Sequence, residues 1–215
     1  MIFQGIALKY EEDFLSALTS FSAASALDPT WPDPATQAKQ LVRYLQDIVT
    51  LIHQKGKLKA KKLSSLISSL DSVKQLGPYS GGSYKSPSGV TVSLNLIQFS
   101  DLQAGVNTEK VILGVVICSV HTEDTVPFTF IMVDKGGTPV VVTTYNLSPG
   151  KGVIIGDTVA IAEPYFSAID IQHQNSQFSF SLVRVESPLV LVINGKKAGR
   201  ELQAGVQMST FTKTD

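Results

Sequence analysis

The apolar residues of this chain change period near Gly77. Ahead of that point they recur every three to four positions, and behind it they alternate. A helix brings residues three and four apart onto one face, and a strand brings every second residue there. The chain must therefore place a helical layer first and a β layer second. In the first part, Leu41, Tyr44, Leu45, Ile48, Leu51 and Ile52 fall at i, i+3, i+4, i+7, i+10 and i+11. That spacing predicts one helix from about Pro34 to Gln54 with a single apolar face. Gly56 reads as its stop, with Lys55 favourable at the C-terminal dipole. Leu58, Leu63, Leu66, Ile67 and Leu70 predict a further helix. Phe14, Ala17, Leu18, Phe21 and Ala24 predict one upstream, closed by "LDPTWPDP", where three prolines forbid continuation.

Beyond Gly77, "VPFTFIMV" places Val126, Phe128, Phe130 and Met132 on one face. "FSFSLVRV" places Phe178, Phe180 and Leu182 opposite Ser179 and Ser181. With turn signals at "KGG" and at Asn194-Gly195, strands are expected near 90–99, 110–121, 126–134, 139–145, 157–162, 167–173, 177–186 and 189–193. Such even spacing fits a small barrel or a sandwich of about 120 residues, and the pattern does not choose between them.

The composition is that of a globular chain: 215 residues, 43% apolar, 17% charged, net charge zero. A balanced total argues against a surface coated with nucleic acid, so any anion binding must come from a local patch. "KGKLKAKKL", Lys55–Leu63, is such a patch, with five lysines in eight residues. On charge alone it is either a solvated helix end or a contact for phosphates. From Gly77 onward nine Lys and Arg face eleven Asp and Glu. A surface for single strands needs a basic groove and stacking aromatics, so this half reads as a protein-binding surface. Phe128, Phe130, Phe178 and Phe180 are read as core.

Catalytic and cofactor motifs do not survive inspection. "GPYSGGSYKS" lacks a lysine directly after its last glycine, and "GKGVIIG" has the wrong spacing for a dinucleotide fingerprint. His53, His121 and His173 are scattered without Cys partners, so no metal is expected. No nucleophile elbow occurs. Glu11, Glu12 and Asp13 read as a solvated acidic turn between helices. Cys118, alone in the chain, sits in an apolar strand and reads as a core residue, in keeping with a reducing compartment. That strand is far shorter than the roughly 20 residues of a membrane span, and "MIFQGIALKY" has neither the basic n-region nor the cleavage site of a signal peptide. Asn146-Leu-Ser148 matches a glycosylation pattern that means nothing without secretion.

Gly5 and Leu8, followed by Ala17, Phe21, Ala24 and Pro29, match the small and large positions of one tetratricopeptide repeat. The match begins partway into the repeat's first helix. One such unit cannot bury both of its faces, so the chain reads as the end of a longer array or a shortened form of one, with an exposed apolar edge and a tendency to self-associate.

"KYEEDFLSALTSFSAASALDPTWPDP", "KGKLKAKKL", "LGPYSGGSY", "VPFTFIMVD", "IGDTVAIAEP", "VRVESPL" and "LVINGK" together resemble the tetratricopeptide repeat protein 5 family, from about Gly5 to Lys197. The resemblance implies an α+β chain. A last, partial repeat (1–30) and a helical extension with the lysine patch (31–76) would precede an all-β OB-fold domain (77–199) and a tail (200–215). It implies a non-enzymatic adaptor, without cofactor or metal, in the cytoplasm and nucleus and not on a membrane. Members recognise the N-terminus of nascent tubulin at the ribosome and recruit mRNA-decay adaptor proteins. As a nuclear alternative, members serve a stress-responsive tumour-suppressor transcription factor and an acetyltransferase, with the OB domain linked to chromatin. Carried onto this sequence, Lys59 and Lys61 align with positions that contact ribosomal RNA, flanked by Lys57 and Lys62. Asp33 aligns with an acidic residue of the nascent-peptide groove, where a carboxylate suits an amine and an arginine.

Overall fold

The computed structural model describes residues 1–85, 89–124 and 126–205. The expected tail lies outside them beyond residue 205. Five helices come first: α1 (Ile2–Tyr10), α2 (Phe14–Leu27), α3 (Pro32–His53), α4 (Ala60–Ser68) and the short α5 (Ser72–Gln75). The strands follow: β1 (Ser83–Lys85), β2 (Thr91–Ser93), β3 (Asn95–Leu96), β4 (Gly105–Val106), β5 (Lys110–Val120), β6 (Phe128–Val133), β7 (Pro139–Thr144), β8 (Thr158–Ala162), β9 (Tyr165–His173), β10 (Ser176–Val185), β11 (Leu191–Ile193) and β12 (Lys196–Lys197). The segment expected as one strand over 90–99 is two short ones, and β1, β4 and β12 are too short to show a periodicity.

Helices α1 and α2 form an antiparallel hairpin. Asp13 caps α2, its side chain accepting from the Ser16 N–H at 3.2 Å. A Cβ at Gly5 would lie 2.6 Å from the Phe21 ring, so the small residue of α1 makes room for the aromatic of α2, as the repeat spacing predicts. Pro32 and Pro34 do more than end the upstream helix. They occupy the first turn of α3, where a missing N–H costs nothing and the fixed φ suits a helix. On α3, Leu41, Leu45 and Ile48 are buried, while Tyr44, Leu51 and Ile52 pack against the same core.

Among the described residues the main sheet has ten strands, with the path β12-β11-β8-β5-β6-β7-β10-β9-β4 and β3 pairing in parallel with β5. It curls into a half-barrel. Neighbours on the path are antiparallel except β7 and β10. Two apolar cores lie on its two faces. The inner one holds Ile112, Val116, Phe130, Met132, Val140, Val142, Ile161 and Val183. The outer one joins Val111, Leu113, Val115, Ile117, Phe178, Phe180 and Leu182 to Leu18, Phe21, Leu41, Leu45 and Ile48 of the helices. Strand β5 is thus buried on both faces for most of its length, which explains its unbroken apolar run. Phe178 and Phe180 are core residues, as expected, but they fill the seam beneath the helices and not the barrel interior. Cys118 is buried in the same outer core, and burial pushes its thiol up to about 11.

Candidate nucleic-acid interface

The lysine run forms a knuckle between α3 and α4. Helix α3 ends at Gln54, whose N–H donates to Thr50 O at 2.9 Å. The next three residues all take the left-handed conformation, with φ of 50° at Lys55, 66° at Gly56 and 60° at Lys57. Lys55, expected only as a favourable charge at the dipole, is therefore the residue that breaks the helix. Gly56 serves close approach: a Cβ there would lie 2.7 Å from Ile117 O and 3.3 Å from Cys118 Cβ. The ladder between β5 and β6 shifts register at this point, pairing Val116 with Met132 and Cys118 with Ile131. The irregularity in the strand is the seat on which the knuckle sits. Leu58, Leu63 and Ile67 pack against the core, and Leu66 is buried in it.

This anchoring leaves the charges outside. Lys55, Lys57, Lys59, Lys61 and Lys62 are all exposed, and none forms an ion pair among the described residues. Lys59 is the N-cap residue of α4, its first turn includes Lys61 and Lys62, and it has no acidic residue. A helix N-terminus carries a partial positive charge and free N–H groups, and lysines there raise the local potential further. The segment costs the fold some electrostatic energy, which an external anion would offset. A shallow groove of about 380 Å³ runs alongside, bordered by Lys55 and floored by Leu58, Leu63 and Ile67.

Asp33 lies elsewhere, exposed in the first turn of α3. It sits at the far end of a helix of 22 residues from the knuckle, so the two candidate sites are separate. On the barrel, Phe130, Phe178 and Phe180 are buried and Phe128 is half-buried, which leaves none of the four as an open stacking platform. The three histidines stay apart, and the described residues contain no group of three or more side chains fit to hold a metal. No helix among them is long and apolar enough to cross a membrane.

The acidic turn departs from expectation. Glu11 and Asp13 are exposed, but only 6% of the Glu12 side chain is accessible. Its Oε1 accepts from Thr143 Oγ1 at 2.6 Å and Tyr145 Oη at 3.0 Å, and lies 3.5 Å from Arg184 Nη1. Arg184 also donates to Tyr10 O at 2.8 Å and stacks on the Tyr145 ring at 4.1 Å. Burial, then the Glu12 carboxylate, raises the Tyr145 phenol well above its ordinary range. This network clamps the α1–α2 turn to β7 and β10. Glu12 takes a left-handed φ of 65°, and the sequence carries no signal for the clamp because its side-chain partners are more than 130 residues distant.

Residues 93–207 match the family model for the tetratricopeptide repeat protein 5 OB fold domain. Relatives named tetratricopeptide repeat protein 5 are similar along most of the chain. The human protein is 50% identical over 196 residues, covering 91% of this chain and 44% of its own length. The mouse and cattle proteins are 46% and 45% identical over 202 residues, covering 94% of this chain and 46% of theirs. The chain spans less than half the length of these curated relatives.

Proposed function

The chain belongs to the tetratricopeptide repeat protein 5 OB-fold family, and from that premise we propose that it is a non-enzymatic adaptor that docks on ribosomal RNA through Lys57, Lys59, Lys61 and Lys62. The observation that carries this reading is the exposed lysine knuckle, without ion pairs among the described residues and seated closely against β5. Ammonium groups on phosphates release counterions and give affinity that is blind to sequence and sensitive to salt. The biological role is nascent-tubulin-dependent decay of tubulin mRNA, with mRNA-decay adaptor proteins as further partners. Lys59→Glu with Lys61→Glu is expected to abolish co-sedimentation with ribosomes while the circular dichroism stays unchanged. Co-sedimentation that persists at moderate salt overturns the assignment.

Asp33 would belong to the nascent-peptide groove. Among the described residues one helical hairpin, α1–α2, precedes it, so this chain alone should bind a tubulin N-terminal peptide weakly, and nanomolar binding would contradict that. The outer sides of α1 and α2 expose Phe3 and Leu27 at 82% and 71%. Self-association through this edge is expected, and a strictly monomeric species by light scattering at high concentration counts against it.

A nuclear role, in which the barrel binds a transcription factor and an acetyltransferase, is the second reading. It draws support from an open groove at the end of the barrel, where Val106, Tyr165 and Val190 are exposed beside Glu163 and Glu186. Comparing ribosomal with chromatin fractions separates the two roles.

A further inference from the structure

A cavity of about 120 Å³ lies where α3 faces the β5–β6 connection and β7, above the Glu12 network. It shares no lining residue with the groove beside the lysine knuckle and plays no part in the ribosome reading. We propose that it receives one cationic side chain, an arginine or lysine, from a partner polypeptide.

Charge accounting selects the ligand. The described lining includes four carboxylates, Glu12, Asp47, Glu123 and Asp124, and two side chains that are always cationic, Lys9 and Arg43. Lys9 donates to Asp124 at 2.7 Å, and Arg43 lies 3.7 Å from Glu123. Glu12 is neutralised by Arg184 from behind. His121 also lines the cavity and is exposed. Asp47 is left over: it is half-buried and has no hydrogen bond or ion pair among the described residues. The cavity therefore holds one uncompensated negative charge, which suits a single positive group and opposes an anion.

The walls point the same way. Tyr44 and Asp47 stand three residues apart on α3 and share a face. The Tyr44 ring meets Phe14 edge-on at 6.3 Å, and its hydroxyl is already bonded to Thr129 at 2.9 Å, which fixes the ring. Aromatic faces attract cations, and neighbouring rings are already used so: Lys9 sits 5.2 Å from the Tyr10 centroid and Arg184 4.1 Å from that of Tyr145. The volume approaches that of an apolar cavity able to hold benzene, so it suits one side chain and excludes a folded segment.

The test uses N-acetyl-arginine methylamide and its neutral citrulline counterpart, titrated into the whole chain and followed by amide and tyrosine NMR shifts. The arginine probe is expected to bind with a Kd on the order of a millimolar, moving Tyr44 and Asp47. Citrulline should bind at least about tenfold more weakly. Asp47→Asn should produce a similar loss, and Asp47→Lys, which supplies its own ammonium group, should abolish binding, both with unchanged thermal melting. Three outcomes overturn the proposal: no shifts with arginine, equal shifts with citrulline, or binding retained in either well-folded Asp47 variant.

Discussion

Lys55–Lys62 and Glu11–Asp13 are both short runs of like charge at the end of a helix, and the fold treats them in opposite ways. The lysines are pinned by their backbone and leucines, so the ammonium groups stay in water without ion pairs among the described residues. In the acidic run one member, Glu12, is taken inside and surrounded by a guanidinium, a phenol and a hydroxyl. The contrast follows from what each segment meets. Around the knuckle the barrel offers an aliphatic strand and a carbonyl. At the acidic turn it offers Arg184, Tyr145 and Thr143. A charge run that finds no complement in its own fold is available to another molecule, whereas one that finds a complement becomes structure.

The largest expected effect comes from breaking the buried side of this contrast. Glu12→Ala leaves Arg184 and Tyr145 without their acceptor and should cost about 3 kcal/mol, near the lower bound for a broken buried pair because Arg184 is partly exposed. Urea unfolding of Glu12→Ala, Arg184→Met and the double variant would measure the coupling. Additive losses would mean that the two residues do not act as a pair. Next in size is Gly56→Ala. A methyl group there meets Ile117 O from a left-handed backbone position, and a loss of about 1–3 kcal/mol is expected by the same method.

Reversing the exposed side should act with the opposite sign. Lys59→Glu with Lys61→Glu puts acids at the α4 N-terminus, so stability should rise by about a few tenths of a kcal/mol even as ribosome binding is lost. A loss of stability in that variant would show that the lysines serve the fold. The smallest effect concerns Cys118, beside the knuckle. With its thiol pushed up to about 11, the thiolate fraction at pH 8 is about one thousandth. A thiol reagent should therefore react fully only after denaturation, and rapid reaction of the native chain would show that the knuckle lifts from β5.

Much of the architecture was legible in the residues. The apolar period located α2, α3 and α4 to within a few positions, and alternation, apolar runs and turn signals located β5 to β11. The Gly5–Phe21 contact was readable because both partners belong to one spacing pattern. The short strands β1, β4 and β12 were not readable, since they are defined by the strand they pair with. The candidate RNA interface was visible as composition, because an exposed lysine run needs no distant partner to exist. Asp47 gave no sign, being one polar residue on the flank of an amphipathic helix.

The sequence alone determined the order of a helical layer before a β layer, the single apolar face of α3 and the concentration of cations after it, because period and local charge are properties of neighbouring residues. Only the tertiary structure decided that the helices cover the outer face of the barrel, that Glu12 is a clamp and that Asp47 lacks a partner among the described residues. Those outcomes depend on side chains brought together from remote parts of the chain, and whether a charge is solvated or neutralised is set by what arrives beside it.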